Sequence, residues 1–175
     1  MTARRKARKR ALDVLYEAEV RGESVEAVIT RRAQADPDPS IPALAAWSVT
    51  VARGVEQHRQ TIDTLLASYA QGWTLERMPS VDRNLARIAT WELLYAPEVP
   101  VAVAISEAVA LAAELSTDES PAYVNGVLSS LARAHPREAS AGVEGGAGLG
   151  GDDAPLDELL GEGAGAGVVD DGEGA

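Results

Sequence analysis

The sequence predicts an all-α protein of about six to seven helices, and three observations lead to this prediction. Apolar residues recur at three- and four-residue spacing over most of residues 3–134, which is the periodicity of amphipathic helices. No segment combines strand-like alternation with turn chemistry, and the one short β-branched run, 99–103, contains Pro100. The last 38 residues, 138–175, have a composition unsuited to a packed structure.

This C-terminal segment contains twelve glycines and ten acidic residues, with no lysine, arginine or aromatic residue. Such a segment cannot bury enough apolar surface to offset the entropy lost on ordering it. We therefore interpret 138–175 as a disordered acidic tail. Residues 1–137 remain as one domain, with a possible division into subdomains of about 1–71 and 80–137.

The formal net charge of −11 comes almost entirely from the tail. Residues 1–137 carry 16 basic and 17 acidic side chains, and six of the basic ones lie within the first ten positions. Because a partner responds to the local field, the overall acidity does not exclude a nucleic acid. Two roles stay open for the tail. It is either an inert solubilising segment or a tethered segment that competes with RNA for the basic N-terminal residues.

The first helix is predicted over residues 3–21, and Gly22 supplies a C-terminal stop. Ser24 is expected to cap a short helix that ends near Arg32. After a proline-rich loop at 36–42, residues 43–70 are predicted to form one long helix or two nearly collinear helices. The apolar stripe of the first helix consists of Ala7, Ala11, Val14, Leu15 and Ala18.

Three further helices are predicted after a connector at 72–79. Ser80 is expected to cap a helix that reaches Tyr95, and Ser120, followed by a proline, is expected to cap a last helix that ends near Ala134. Between them, residues 101–115 are almost wholly apolar and are predicted to be the central buried helix. Gly54, inside an earlier helix, indicates close helix packing, because glycine there costs about 1 kcal/mol relative to alanine.

The side chains needed for most catalytic or metal sites are missing. The sequence has no cysteine, and its two histidines lie far apart without metal-ligand spacing. It also lacks a phosphate-binding glycine loop and a nucleophile elbow. We therefore expect no enzyme activity, no catalytic residue, no metal site and no cofactor. No apolar run approaches the length of a membrane span, so we expect a cytoplasmic protein without a membrane partner.

The N-terminal basic run is the strongest functional feature. Arg4, Arg5, Lys6 and Arg8 belong to six like charges within seven positions, which repel one another on a helix. A polyanion would relieve this repulsion, whereas the alternative is a solvated, frayed terminus. A basic run alone does not distinguish RNA from DNA or anionic lipid.

Several other residues have both a functional and a purely structural interpretation. Tyr16 and Tyr123 could stack on RNA bases or belong to the core. Asp82 lies on a polar helix side with Arg83 and Asn84, which predicts a solvated face or a partner contact. In the last helix, Asn125 and Gly126 are poor helix formers; we expect close helix approach at the glycine and a backbone hydrogen bond from the asparagine.

Four segments in this order resemble the NusB family. They are Ala3–Tyr16 (ARRKARKRALDVLY), Val81–Leu93 (VDRNLARIATWEL), Val99–Val109 (VPVAVAISEAV) and Tyr123–Leu128 (YVNGVL). The resemblance implies two packed helical subdomains and binding of boxA RNA from ribosomal RNA operons. It also implies a complex with ribosomal protein S10 (NusE) and, through it, with other Nus factors and RNA polymerase. A homodimer covering the RNA surface is a further possibility.

Carried over by position, the resemblance places residues on two surfaces. The S10 side would involve Asp82 and Arg87. Ala122 departs from the basic or polar residue usual in the family, so one phosphate contact is in doubt. The RNA side would involve Arg4, Arg5, Lys6, Arg8, Tyr16 and Tyr123, with Glu119 nearby.

Three alternative functions are compatible with parts of the sequence. A helical scaffold that binds only proteins would show no salt-sensitive RNA binding. The RNA-binding module of a ribosomal RNA cytosine methyltransferase shares the resemblance, but this sequence lacks the cofactor-binding domain and the cysteine of such an enzyme. A DNA-binding helix-turn-helix would need a short turn before a helix with base-reading polar residues, which the sequence does not offer.

Overall fold

The computed structural model describes residues 2–34, 44–70 and 74–136, and within these ranges the chain forms seven α-helices and no β-strand. The all-α prediction is confirmed. The loop at 36–42 and the acidic tail at 138–175 lie outside the described residues. The helices are α1 (Ala3–Arg21), α2 (Val25–Gln34), α3 (Ala46–Gln57), α4 (Arg59–Tyr69), α5 (Ser80–Tyr95), α6 (Val101–Leu115) and α7 (Ser120–Ala134).

The central helix of the fold is α5, and the prediction that α6 occupies this place is wrong. Helices α1, α3, α4, α6 and α7 all pack against α5, and every residue from 84 to 93 is buried. Helix α6 buries only four residues, and its Val101 and Val103 are 36% and 40% exposed. The apolar composition of α6 therefore exceeds what its position needs, whereas α5 is enclosed by neighbours.

The two ends of α1 follow the sequence closely. The Thr2 side chain accepts a hydrogen bond from the Arg5 backbone N–H, which satisfies a free donor of the first turn. Gly22 ends the helix at φ 65°, a left-handed conformation that glycine adopts without strain. Ser24 then caps α2 by accepting from the backbone N–H of Ala27 at 3.2 Å.

Ser80 and Ser120 were predicted as N-caps, and both predictions are wrong. Each serine is the first helical residue, and the cap positions are Pro79 and Glu119. The Ser80 hydroxyl donates to Glu19 instead, and the buried Ser120 hydroxyl donates to a carboxylate of α5. Both serines therefore join helices to one another.

Gly54 has the close contact that the sequence predicts. Residues 43–70 contain two helices, α3 and α4, which meet at His58. A Cβ added at Gly54 would overlap the Trp91 indole of α5. The packing of α3 on α5 thus depends on the missing side chain.

Gly126 and Asn125 behave differently from the prediction. Both are exposed, and a Cβ at Gly126 would meet nothing within 4 Å. The Asn125 side chain accepts from Ser129 within its own helix rather than bonding a neighbouring backbone. Close packing therefore does not explain this glycine.

The proposed division into subdomains at 1–71 and 80–137 stays a prediction. Helices α1, α3 and α4 all contact α5 directly, so the two parts share one hydrophobic core. Among the described helices, none is long and apolar enough to span a membrane.

Candidate nucleic-acid interface

Among the basic residues near the start of α1, some side chains are exposed and others are paired with acids. Arg4 and Lys6 are exposed, and neither forms an ion pair with any residue that the structure describes. The Arg4 guanidinium lies over the Trp47 ring, 3.9 Å from its centroid. These two cations keep their charge available to an anion outside the chain.

Arg8 is buried, so the prediction of a free phosphate-binding side chain is wrong. Its Nε donates to both carboxylate oxygens of Glu92, at 2.9 and 3.1 Å, and its side chain is only 5% exposed. Glu107 of α6 lies 3.7 Å from Arg8 Nη1. The arginine therefore joins α1 to α5 and α6.

Arg5 and Lys9 are matched by carboxylates of α6. Arg5 Nε lies 3.8 Å from Glu107, and Lys9 donates to Glu114 at 2.8 Å. These pairs are partly exposed, and such surface pairs are weak enough to be exchanged for another anion. Arg5 consequently remains a candidate phosphate contact, although a weaker one than Arg4 or Lys6.

Glu92, the carboxylate that pairs with Arg8, is fully buried. Burial raises the pKa of Glu92 above its ordinary value, although the charge and hydrogen bond of Arg8 oppose that rise. The pair is thus built into the core, where breaking it is far more destabilising than at a surface. The sequence carried a signal for it: Arg8 lies on the same helical stripe as Leu12 and Leu15.

The two tyrosines predicted for RNA differ in exposure. Tyr16 is 44% exposed on α1, and one turn later Val20 is 66% exposed. Tyr123 is half-buried against the core, where burial and then the negative charge of Asp82 raise its pKa above 10.0. Glu119, at the N-cap of α7, is exposed.

The predicted RNA residues form two groups rather than one. Arg4, Arg5 and Arg8 lie together at the end of α1 that contacts Glu92. Tyr123 lies beside Asp82, ten residues before Glu92 on α5, which corresponds to roughly 15 Å along the helix. An RNA touching both groups would have to run along the side of the bundle.

The residues predicted for S10, Asp82 and Arg87, are both buried, so the expectation that Asp82 is exposed is wrong, whereas their role toward S10 stays a prediction. Asp82 is 1% exposed and accepts from the Ser120 hydroxyl at 2.6 Å. Arg87 is 6% exposed and donates to Asp63 at 2.7 and 2.9 Å. These partners lie 38 and 24 positions away in the sequence, so sequence reasoning did not predict either contact.

A second ionic cluster surrounds Glu19 at the opposite end of α1. Although burial by itself raises its pKa, hydrogen bonds from Arg83, Ser80 and Asn84 lower the pKa of Glu19 to about 2. Arg87 also donates to Glu19, at 3.0 Å. The polar residues near the start of α5 thus bind α1 internally, and the expected solvated face is largely occupied.

No group of acidic or histidine side chains suited to a metal ion occurs among the described residues. The histidines instead make aromatic contacts: His58 stacks on Tyr95 with centroids 3.9 Å apart, and His135 meets Tyr69 edge-on. The start of α1 thus offers an anion two exposed cations, and Tyr16 further along the same helix offers exposed aromatic surface.

Comparison with known proteins identifies close relatives. The NusB family model matches residues 5–133. A transcription antitermination protein NusB from a Nocardioides species is 53% identical over 136 residues, which cover 78% of this chain and 98% of that protein. The protein of the same name from Beutenbergia cavernae is 52% identical over 155 residues, covering 81% and 99%.

Solved structures agree with this relationship. T. maritima NusB matches with a TM-score of 0.64 and 31% identity, covering 75% of this chain and 92% of that one. A crystal structure of the antitermination factors NusB and NusE in complex with dsRNA matches with a TM-score of 0.60, covering 75% and 96%. At 23% identity, this second match concerns the fold alone.

Proposed function

Since this chain belongs to the NusB family, and is accordingly a transcription antitermination factor rather than an enzyme, we propose that it binds boxA RNA of ribosomal RNA operons together with ribosomal protein S10 (NusE). This complex would act with other Nus factors on RNA polymerase in the cytoplasm and promote full-length ribosomal RNA transcription. The observation that carries the RNA-binding part is the pair of exposed cations, Arg4 and Lys6, at the start of α1.

The other proposed RNA contacts follow from exposure. Arg5 reaches a phosphate by exchanging its long contact with Glu107. Tyr16 offers an exposed ring for base stacking, which is sequence-tolerant and typical of single-stranded RNA recognition. Tyr123 offers the part of its ring that the core leaves uncovered, and Glu119 borders it as an exposed acid. Arg8 lies beneath the exposed residues at the start of α1 and joins this helix to α5.

We expect the Arg4→Ala/Lys6→Ala double variant to bind boxA RNA more weakly and with a smaller salt dependence. Each phosphate contact on a single strand contributes about 0.7 to the log–log salt slope, so losing two should reduce its magnitude by about 1.4. The measurement is a titration of labelled boxA and scrambled RNA, with and without S10, at several salt concentrations.

The matched control is Arg31→Ala/Arg53→Ala, which removes the same charge from arginines already paired with acids on α1 and α2. Its salt slope should stay close to that of the wild type. Equal slopes for the Arg4/Lys6 variant and the wild type would contradict the proposed phosphate contacts. An absence of salt-sensitive RNA binding by the wild type would favour a purely protein-binding scaffold.

For S10, we propose that Asp82 and Arg87 shape the docking surface without forming its outer layer. Asp82 joins the starts of α5 and α7 through Ser120. Arg87 joins α5 to α4 and α1 through Asp63 and Glu19. A partner resting on α5 and the neighbouring helices would depend on both side chains for the position of the backbone it contacts.

We therefore expect Asp82→Ala to lower stability as well as S10 affinity. Removing the carboxylate leaves the buried Ser120 hydroxyl without this acceptor, a loss of about 1–2 kcal/mol. Urea denaturation and S10 titration should change together. Glu119→Ala removes the same charge from an exposed position and should change stability little. Weaker S10 binding with unchanged stability in Asp82→Ala would instead indicate a direct contact.

A further inference from the structure

Arg4 differs from the neighbouring arginines in what holds its guanidinium. Arg5 and Arg8 lie beside carboxylates, which compensate their charge. Arg4 lies over the face of Trp47, at 3.9 Å from the ring centroid. An indole attracts the cation through its quadrupole but carries no net charge, so the positive charge of Arg4 is not cancelled.

Trp47 is itself held in place from below. Its ring meets the Trp91 ring edge-on, with centroids 6.0 Å apart and an interplanar angle of 61°. Trp91 is 7% exposed and fills the space that the absent side chain of Gly54 leaves. Arg4 therefore rests on an aromatic platform that is anchored in the packing of α3 on α5.

Arg4 forms no hydrogen bond or ion pair with a residue that the structure describes, so its contact with the Trp47 ring leaves its N–H donors available. A guanidinium donates its hydrogen bonds in the plane of the group, and two parallel N–H bonds match two oxygens of a phosphate. A ring beneath that plane restricts the side chain without occupying any of these donors. Restricting a long side chain before binding removes part of the entropy otherwise lost on association.

We propose that Trp47 is a positioning residue for RNA: it holds the Arg4 guanidinium so that its N–H edge donates to a backbone phosphate. This inference rests on the proposed RNA-binding function and adds a residue outside the four segments that carry the family resemblance. Trp47 does not touch the RNA; its effect passes entirely through Arg4.

The test is a double-mutant cycle on binding of labelled boxA RNA, with Arg4→Ala, Trp47→Leu and the combined variant. Loss of the stacking should weaken RNA binding roughly three- to tenfold in Trp47→Leu. In the Arg4→Ala background the same change should have no further effect, because nothing remains to be positioned. The salt slope of Trp47→Leu should stay nearer the wild-type slope than that of Arg4→Ala.

Two conservative variants separate positioning from folding. Trp47→Phe keeps an aromatic face and should retain most of the affinity. Arg4→Lys keeps the charge but loses the planar group, so its affinity should fall to about that of Trp47→Leu. Thermal melting of every variant shows whether the fold is retained, and a ring-current shift of the Arg4 side-chain protons, present in the wild type and lost in Trp47→Leu, reports the stacking without RNA.

The outcomes distinguish this assignment from the function on which it rests. Equal losses on Trp47→Leu with and without Arg4 would overturn the positioning role and indicate direct contact or a general loss of structure. Absence of the ring-current shift in the wild type would overturn it as well. If the wild-type protein shows the shift yet binds no RNA, the proposed function fails, and the positioning role toward RNA fails with it.

Discussion

Arg8→Ala is expected to lower the free energy of unfolding by about 3–5 kcal/mol, because it leaves a buried carboxylate without its cation. Glu92 is fully buried and takes both hydrogen bonds from the Arg8 Nε. Without Arg8, only weaker and more distant positive charge offsets the unfavourable effect of burial on the Glu92 carboxylate. The pair joins the start of α1 to the central helix, so its loss should be felt across the whole domain.

The destabilisation should depend on pH in a definite direction. Burial already raises the pKa of Glu92, and removing Arg8 takes away the main opposing cause, so the pKa rises further. A carboxyl group whose pKa is raised on folding contributes stability below its unfolded pKa, and this contribution is lost as the pH rises through the folded pKa. The deficit of Arg8→Ala should therefore be smallest below the ordinary glutamate pKa of 4.5 and should grow toward neutral pH.

Urea denaturation of the wild type and variants between acidic and neutral pH measures this effect. Lys9→Ala, which removes a cation from the same helix but from the exposed pair with Glu114, should change stability little. Arg8→Met/Glu92→Leu should recover most of the loss, since it removes both buried charges together. Unchanged stability with weakened RNA binding in Arg8→Ala would show instead that Arg8 is a phosphate contact.

Arg8 also shows why sequence reasoning predicted the helix but not the role of its side chains. The apolar periodicity and Gly22 predicted a helix over residues 3–21, and α1 has these ends, with Gly22 in the left-handed conformation. Sequence reasoning assigns no partner to the charges of this run, because pairing depends on residues far along the chain. Glu92 lies 84 positions away, and its place on the inward stripe of α5 was the available sign that a buried cation must meet it.

The wrong prediction that α6 is the central helix has a related cause. The apolar content of a helix shows that it can be buried, but it does not show how many other helices pack around it. Helix α6 is rich in alanine and valine yet buries one side, while α5 carries arginine, asparagine and glutamate into the core because each finds a partner. Asp82 was predicted to be exposed for the same reason, since its partner Ser120 comes from another helix. Long-range polar pairs thus decide which polar residues remain for RNA or S10.

Gly54→Ala is expected to destabilise the protein by about 3 kcal/mol, at the upper end of the usual range for overpacking. Alanine is the better helix former by about 1 kcal/mol, so propensity alone would favour the change. The added Cβ, however, would overlap Nε1, Cε2 and Cζ2 of the buried Trp91 indole. The indole cannot turn aside freely, because it also supports Trp47.

Gly126→Ala is the matched control, since this glycine also lies inside a helix but has nothing within 4 Å of the added Cβ. It should stabilise the protein by about 1 kcal/mol through helix propensity alone. Opposite signs for the two substitutions in denaturant unfolding would attribute the loss at position 54 to the contact with Trp91. Trp91→Phe should make Gly54→Ala less harmful by removing ring atoms from the clash. Equal effects at both glycines, or an undiminished loss beside Phe, would contradict this account, because the close approach of α3 to α5 would then not require glycine.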